Sequence, residues 1–331
     1  MPAIPGVPTT VLVAPDSFKG TLTAAEVAAA VGRGLESGGR PVDLCPVADG
    51  GEGTLAALLE AIGGERRTAK VSDPLGRTVE AEFALGERGV GIVEMAAASG
   101  LGLVDPEDRD AIAASTYGTG QLIMAAVEAG AQVVYLGVGG SATTDGGSGA
   151  VQAIREAGGL GRARITVLCD VRTPFEQAAR VFAPQKGADA DAVARLTRRL
   201  NDQARRLPRD PRGVPMTGAA GGLSGGLWAA FDAELVPGAQ FVLDAAGFDR
   251  RMRAARAVVT GEGKLDRQSL AGKVVSEVST RARQAGVPCH AIVGTRELDS
   301  FGARVLDLQA IFEAGTPRQI TDAARRLSEL L

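Results

Sequence analysis

Along the chain, short runs of β-branched and aliphatic residues alternate with longer stretches in which alanine, valine and leucine return every three to four positions. The first pattern suits strands buried on both faces and the second suits helices with one apolar side. Together they predict βαβ units, that is, a mostly parallel sheet covered by helices. Strands are expected at 10–14, 41–44, 133–137, 165–169, 257–260 and 290–293, each followed by a loop rich in glycine or carboxylates. Thr23-Ala-Ala-Glu26 is a capping box, in which hydroxyl and carboxylate satisfy the open amides of a helix start, and Gly38-Gly39 supplies the stop. Similar helices are expected over 54–62, 119–129 and 147–157. A charged helix over 190–206 presents arginines that read as a solvated face.

The texture of the chain changes in its middle. Residues 69–244 hold the hairpin-like DPLGRTVEAEFAL and several glycine-rich loops, whereas both ends look like plain βα units. The expected architecture is a Rossmann-like, mostly parallel α/β domain built from residues 1–68 plus 245–331, with a second α/β domain, 69–244, inserted into it. A length of 331 residues likewise favours two lobes with a cleft between them.

Composition narrows the function classes. Hydrophobic residues at 45% and charged residues at 23% are ordinary for a packed protein, so disorder is excluded. A net charge of -3 without a long basic run argues against a nucleic-acid or anionic membrane surface as partner. The start, MPAIPGVPTT, lacks a basic region followed by an apolar core, and no stretch approaches the ~20 apolar residues of a membrane span; a cytoplasmic protein is expected. Cys45, Cys169 and Cys289 are scattered without CxxC spacing, which predicts buried hydrophobes rather than disulfides or a zinc site. His290 is the only histidine and sits in the apolar run CHAIVG, so it is expected to be a satisfied structural residue, and histidine triads are excluded.

Five loops combine glycine with acidic, hydroxyl or lysine side chains: APDSFKG (14–20), VADGGEGT (47–54), GVGGSATTDGGSG (137–149), APQKGA (183–188) and TGEGKLDRQS (260–269). Four follow predicted strands, and in an open α/β sheet ligands bind beyond the carboxyl ends of the strands. Glycine lets backbone amides approach an anion, and a helix beginning just after the loop turns its positive end toward it. Phosphate is therefore the expected ligand of 137–149, where Gly139, Gly140, Ser141, Thr143 and Thr144 precede a helix. No GxxxxGK[ST] loop and no protein-kinase motif set is present, and GVGGSA is not a GxGxxG, which weakens a nicotinamide site.

Of 36 basic residues only five are lysines, and four of them, Lys19, Lys186, Lys264 and Lys273, adjoin a glycine. A compact ammonium fits beside a phosphate or carboxylate oxygen in a tight loop where a planar guanidinium needs room. These four are candidate anion contacts, and Lys70 is expected on the surface. Carboxylates recur at predicted strand ends: Asp16, Asp49 with Glu52, Asp145, Asp170, and Glu262 with Asp266. Phosphoryl transfer uses such groups to hold Mg²⁺ and to orient the attacking hydroxyl. For Asp145 and Asp266, helix capping is an equally good use.

The same loops, in this order, resemble the type I glycerate kinases of bacteria. The resemblance runs from APDSFKGTLTA through VADGGEGT, VEMAAASGL (93–101), STYGTGQLI (115–123), GGSATTDGG, CDV (169–171), FAPQKGA, AAGGLSGG (219–226) and PGAQFVLD (237–244) to TGEGKLD, nearly the whole chain. It implies an ATP- and Mg²⁺-dependent kinase of D-glycerate forming 2-phosphoglycerate, with its site in an interdomain cleft. Matched motif by motif, it implies functional roles for Asp16, Ser17, Lys19, Asp49, Glu52, Ser141 to Asp145, Asp170, Lys186 and Glu262 to Asp266. Lys264 stands where arginine is commoner in the family, and Thr144 where asparagine is.

On this basis Lys19 and Lys264 are expected to grip the glycerate carboxylate, with Ser17, Glu262 and Asp266 nearby and Asp16 orienting the hydroxyl. Loop 137–149 and Lys186 would cradle the ATP phosphates, with Mg²⁺ held by Asp170 or by Asp49 and Glu52. The competing expectations are a nicotinamide-dependent hydroxy-acid dehydrogenase and a non-catalytic module that binds or senses a small carboxylate.

Overall fold

The structure is a computed structural model describing residues 9–270 and 272–331. Most of the amino-terminal segment that bears on export lies outside the described residues. The chain divides into two compact units, one comprising the residues up to Asp49 with Ala239–Leu331, the other Gly50–Gly238. The sequence places the changeovers later, near residues 68 and 244. The first shift arises because helix Thr54–Ile62 packs on strands Thr78–Gly86 and Val90–Glu94 of the second unit, where its Leu55 N–H donates to Glu94 at 2.8 Å. An amphipathic helix does not disclose which sheet it will cover.

In the first unit five parallel strands lie in the order Ile311–Glu313, Cys289–Val293, Ala257–Gly261, Val11–Pro15, Val42–Leu44. Counted along this unit's chain the order is 2-1-3-4-5, that of a doubly wound sheet, and not the 3-2-1-4-5-6 order of a dinucleotide-binding fold. Val11–Pro15, Ala257–Gly261 and Cys289–Val293 are buried throughout, which is why they read as unbroken apolar runs. On one face Val11, Val13, Val259 and Ile292 pack against Val27, Val31 and Leu35 of helix Ala24–Ser37 and Ile320 and Leu327 of helix Pro317–Ser328. Both helices begin with a complete capping box, at Thr23 and at Thr316. On the other face Ala291 and Val293 meet Val275, Leu298 and Leu306.

The order reverses between Val11–Pro15 and Ala257–Gly261, the point at which such sheets open a crevice for ligands beyond their carboxyl ends. The residues that follow these two strands are Asp16 and Glu262.

The second unit has six strands in sequential order. Gly64–Ser72 and Thr78–Gly86 form an antiparallel hairpin, Val90–Glu94 pairs antiparallel with the latter, and Val133–Gly137, Arg164–Cys169 and Glu234–Pro237 continue in parallel. Asp73 makes the hairpin turn, accepting the Leu75 and Arg77 N–H groups, each at 2.8 Å. Val93, Leu136 and Val167 anchor the core against Leu122, Ile123, Ile154, Leu223 and Leu227.

All three cysteines are free and buried. Burial raises the thiols of Cys169 and Cys289, the latter to about 12. His290 departs from expectation: it is buried, but neither ring nitrogen has a hydrogen-bond partner. Its strand is enclosed on both sides, so burial lowers its pKa and the ring stays neutral. Among the described residues no helix is long and apolar enough to cross a membrane.

Candidate active site

In the first unit the loops after Val11–Pro15 and Ala257–Gly261 start side by side, because Pro15 lies opposite Gly261 in the parallel register. The Asp16 N–H donates to the Gly261 carbonyl at 2.8 Å, carrying the pairing one residue beyond the strand. Between the loops is a pocket of about 430 Å³, walled by Asp16, Ser17, Lys19, Glu262, Lys264, Asp266 and Lys273, with Gly294 and Thr295 from the neighbouring strand's end.

Asp16 is buried, and its Oδ1 accepts the Ser17 N–H at 2.7 Å. Burial, and then Asp49, hold its pKa well above the usual carboxylate range against the pull of Lys19. Asp49 is buried as well and takes the half-exposed Lys19 ammonium at 3.2 Å. Burial raises Glu262 to about 7. Its Oε1 and the Ser17 hydroxyl are enclosed without a hydrogen-bond partner. Leaving such a group unpaired costs ~1–3 kcal/mol, so these two atoms have a strong demand for a polar ligand. A small pocket edged by carboxylates, a hydroxyl and ammonium groups is complementary to a small hydroxy acid.

Two residues of the pocket are engaged elsewhere. Lys264 is largely exposed and its ammonium pairs with Glu297 at 2.8 Å. Asp266 Oδ1 accepts the Gln268 N–H at 2.8 Å, at the start of the short helix Arg267–Leu270, the capping alternative anticipated for it.

In the second unit, loop 137–149 runs from strand Val133–Gly137 into helix Ser148–Glu156. Gly139 is needed because Gly51 crosses directly over it; a Cβ there would lie 2.4 Å from the Gly51 Cα. Lys186 reaches the loop from 184–186, fully buried, donating to Ser141 Oγ at 2.8 Å and the Thr143 carbonyl at 2.5 Å. Burial draws this ammonium down to about 7, with Asp145 and Asp170 opposing the shift. The Thr143 and Thr144 hydroxyls are buried without partners. Earlier in the same loop, Gly139, Gly140 and Ser141 wall a pocket of about 250 Å³ together with Asp170, Phe182, Gln185 and Ala220.

The glycine-rich segment 219–226 supports this loop from behind. Gly221 has φ +64° and lies so close that a Cβ would come 2.1 Å from the Thr143 carbonyl oxygen, so only glycine fits. Ala220 is also left-handed, at φ 52°, and forms part of the pocket wall. Ala220, Phe182 and Gln185 lie within AAGGLSGG and FAPQKGA, but sequence reasoning assigned none of them a role of its own, since neither a pocket wall nor a left-handed alanine has a sequence signature. Gly294 and Thr295 follow a predicted strand, and the end-of-strand rule applied there finds them.

Asp145 is not available to a ligand. Its carboxylate accepts from Thr116 N–H (2.9 Å), Thr116 Oγ1 (2.8 Å), Gly147 N–H (3.0 Å) and Gly149 N–H (3.1 Å), so it ties the loop to the helix it precedes. Asp145→Ala strands these buried donors and is expected to cost roughly 3 kcal/mol or more. Urea denaturation checks this, and a midpoint and slope equal to wild type contradict it. Glu52 is exposed and belongs to the second unit, whereas Asp49 is buried in the first. Lys70 is on the surface as expected.

The model of the glycerate kinase family matches residues 11–159 and 155–331 of this chain. A glycerate kinase from Halalkalibacterium halodurans is 40% identical over 348 residues, covering 92% of this chain and 88% of the relative. A glycerate 2-kinase from Escherichia coli K12 is 36% identical over 355 residues, covering 96% and 93%. A crystal structure from Salmonella typhimurium LT2, described as a candidate glycerate kinase 2, superposes with a TM-score of 0.82 at 33% identity and 98% coverage of both chains. The glycine-flanked lysines and buried carboxylates thus occur in a chain that resembles these proteins along almost its whole length, and it belongs to the glycerate kinase family.

Proposed function

We propose that this chain transfers the terminal phosphoryl group of ATP to the 2-hydroxyl of D-glycerate, binding glycerate in the first unit's pocket and the donor's phosphates on loop 137–149. Glycerate kinase activity follows from the family, and it requires a phosphate donor. The single observation that carries the site assignment is the pair of enclosed, unpartnered atoms, Glu262 Oε1 and Ser17 Oγ, in a small pocket edged by Lys19 and Lys273. Regiochemistry is supported by the Escherichia coli relative's name, glycerate 2-kinase.

Lys19 and Lys273 draw in the substrate carboxylate and the Ser17 hydroxyl donates to it. Lys19 is held by the buried Asp49 and Lys264 by the exposed Glu297, which makes Lys264 the less firmly placed candidate for that grip. Asp16 orients the hydroxyl and Glu262 accepts its proton, a role suited to a carboxyl group titrating near the operating pH. In a loose phosphoryl transition state, positioning and charge neutralisation outweigh base strength. The Lys186 ammonium, the loop amides and the Thr143 and Thr144 hydroxyls supply the neutralising donors.

Mg²⁺ usually binds through one or two carboxylates plus substrate phosphates, and when bound it neutralises charge across the β- and γ-phosphates. Among the described residues no three histidine, cysteine or acidic side chains form a metal cage. The donor set that fits the shared mode is Asp170, which walls the same pocket as Ser141. Asp49 is engaged by Lys19, and Glu52 is exposed and does not line that pocket, so they fit the role less well. Asp170→Asn is expected to raise the half-saturating Mg²⁺ concentration about tenfold, the value of one charged contact of ~1.4 kcal/mol; an unchanged Mg²⁺ titration contradicts the assignment.

The reaction is tested by incubating the protein with ATP, Mg²⁺ and D-glycerate and recording phosphorus NMR. The expected product is 2-phosphoglycerate with ADP. A 3-phosphate ester refutes the regiochemistry, and absence of any ester refutes the acceptor.

A further inference from the structure

A third cavity, larger than the two pockets above, lies in the second unit between helix Ser148–Glu156 and helix Ala190–Ala204 with the turn after it. Its volume is about 660 Å³, within the usual range of small-molecule sites. Ser148, Gln152 and Arg155 line it from one helix, and Arg199, Gln203 and Arg206 from the other. Each set is spaced by about one and two turns, so each helix contributes a single face.

Charge decides what this groove accepts. Three arginines line it against two carboxylates, and both carboxylates have hydrogen-bond partners of their own. Glu156 accepts from the Tyr117 hydroxyl at 2.5 Å and from Gln152 Nε2 at 2.8 Å, and Asp202 accepts from Arg205 at 2.9 Å. Arg199 directs one N–H to the Ile112 carbonyl at 2.9 Å. The Arg155 and Arg206 guanidinium groups have no hydrogen-bond or ion-pair partner among the described residues. The arginines that the sequence assigns to a solvated face therefore close one side of a concave site, facing a third arginine from the other helix. Guanidinium groups pair in parallel forks with phosphate oxygens, so three around one cavity suit a multiply charged phosphate ester.

The groove adjoins loop 137–149. Gln203 donates its amide to the Gly146 carbonyl at 2.8 Å, and Ser148, in the groove wall, bonds through its N–H to the Asp145 carbonyl at 3.2 Å. A ligand joining Arg155 to Arg206 would draw the two helices together and move Gln203 against Gly146.

We propose that this groove is a regulatory site for a phosphorylated metabolite carrying at least two negative charges, and that its occupation changes the affinity of loop 137–149 for the phosphate donor. The coupling rests on that loop being the donor site; binding in the groove does not.

The full-length protein, saturated with a non-hydrolysable ATP analogue so that the donor site is filled, is titrated calorimetrically with inorganic pyrophosphate. One pyrophosphate per chain is expected, bound at least tenfold more weakly by the Arg155→Ala/Arg206→Ala double variant, the order of one lost charge-assisted contact. Without pyrophosphate the variant is expected to keep wild-type kcat and KM, which also shows that it folds. No binding beside the analogue, or equal binding by the variant, overturns the site. With binding established, pyrophosphate is expected to shift the KM for ATP by different factors in wild type and in the variant, the variant showing only competition at the donor site; an identical shift in both overturns the coupling.

Discussion

Replacing Lys186 by methionine is expected to lower kcat/KM by roughly 10²–10³-fold, the effect of removing a preorganised charge stabiliser of ~2.7–4 kcal/mol. Methionine keeps an apolar stem in the enclosed site and removes only the group that contacts Ser141 and Thr143. The fold should not suffer in proportion. Burial lowers this ammonium to about 7, so the folded state disfavours the proton that the unfolded chain binds. The cost is therefore fully present below pH ~7 and is relieved as pH rises toward the unfolded value near 10.5. Wild type should gain stability relative to Lys186→Met between these values, and lose that advantage at pH 6.

The same titration reaches the kinetics. In the free enzyme Lys186 loses its proton above about 7, so kcat/KM for ATP should fall on the alkaline side, a limb absent from Lys186→Met. Steady-state rates from pH 5.5 to 9 and melting curves at the two extremes measure both effects. A variant with wild-type kcat/KM, or one that is inactive because it is unfolded at pH 6, contradicts the assignment.

Glu262→Gln is expected to have the second large effect, a loss of 10²–10⁴-fold in kcat/KM for glycerate, the range of a positioned general base. With the carboxyl raised by burial to about 7, wild-type kcat/KM should rise with pH through that value as the base ionises. Asp16 and Asp49 interact with it, so the limb belongs to the cluster and its midpoint is macroscopic. Glutamine removes the limb. Stability moves the opposite way. Because the folded pKa is raised above 4.5, the native state binds the proton more tightly, and stability falls as pH rises from about 4.5 to about 7. A neutral glutamine escapes this cost, so the variant should be more stable than wild type above pH 7. Retention of the acid limb in Glu262→Gln moves the proton-accepting role away from Glu262.

Both substitutions trade stability for function in the expected direction, because each side chain is an ionisable group held in an enclosed site. That enclosure is also what the sequence could not disclose. Strand ends followed by a glycine-bearing loop identified Asp16 and Glu262, and a rare lysine beside a glycine identified Lys186, because glycine is the residue that lets backbone crowd a ligand. Which hydrogen bonds those side chains make is a property of packing. Asp145 has the same local signature as Asp16, yet four internal donors surround its carboxylate. Lys264 looks equivalent to Lys19 in sequence, yet its partner is the exposed Glu297 whereas that of Lys19 is the buried Asp49.

Elements with a clear apolar pattern were legible, and Ala24–Ser37 was so to its cap. Strand Gly64–Ser72 was not, because GERRTAKVS is exposed along most of its length and lacks a hydrophobic signal. The strand order that brings Asp16 and Glu262 to one crevice is set by how the helices cross over the sheet, which local pattern does not encode.

The division of labour between the units is open to one direct measurement, amide hydrogen exchange with each ligand added separately. D-Glycerate is expected to protect 14–20 and 260–266, and a non-hydrolysable ATP analogue to protect 137–149 and 184–187. Protection of 137–149 by glycerate and of 14–20 by the analogue, or of neither region by either ligand, would contradict the account.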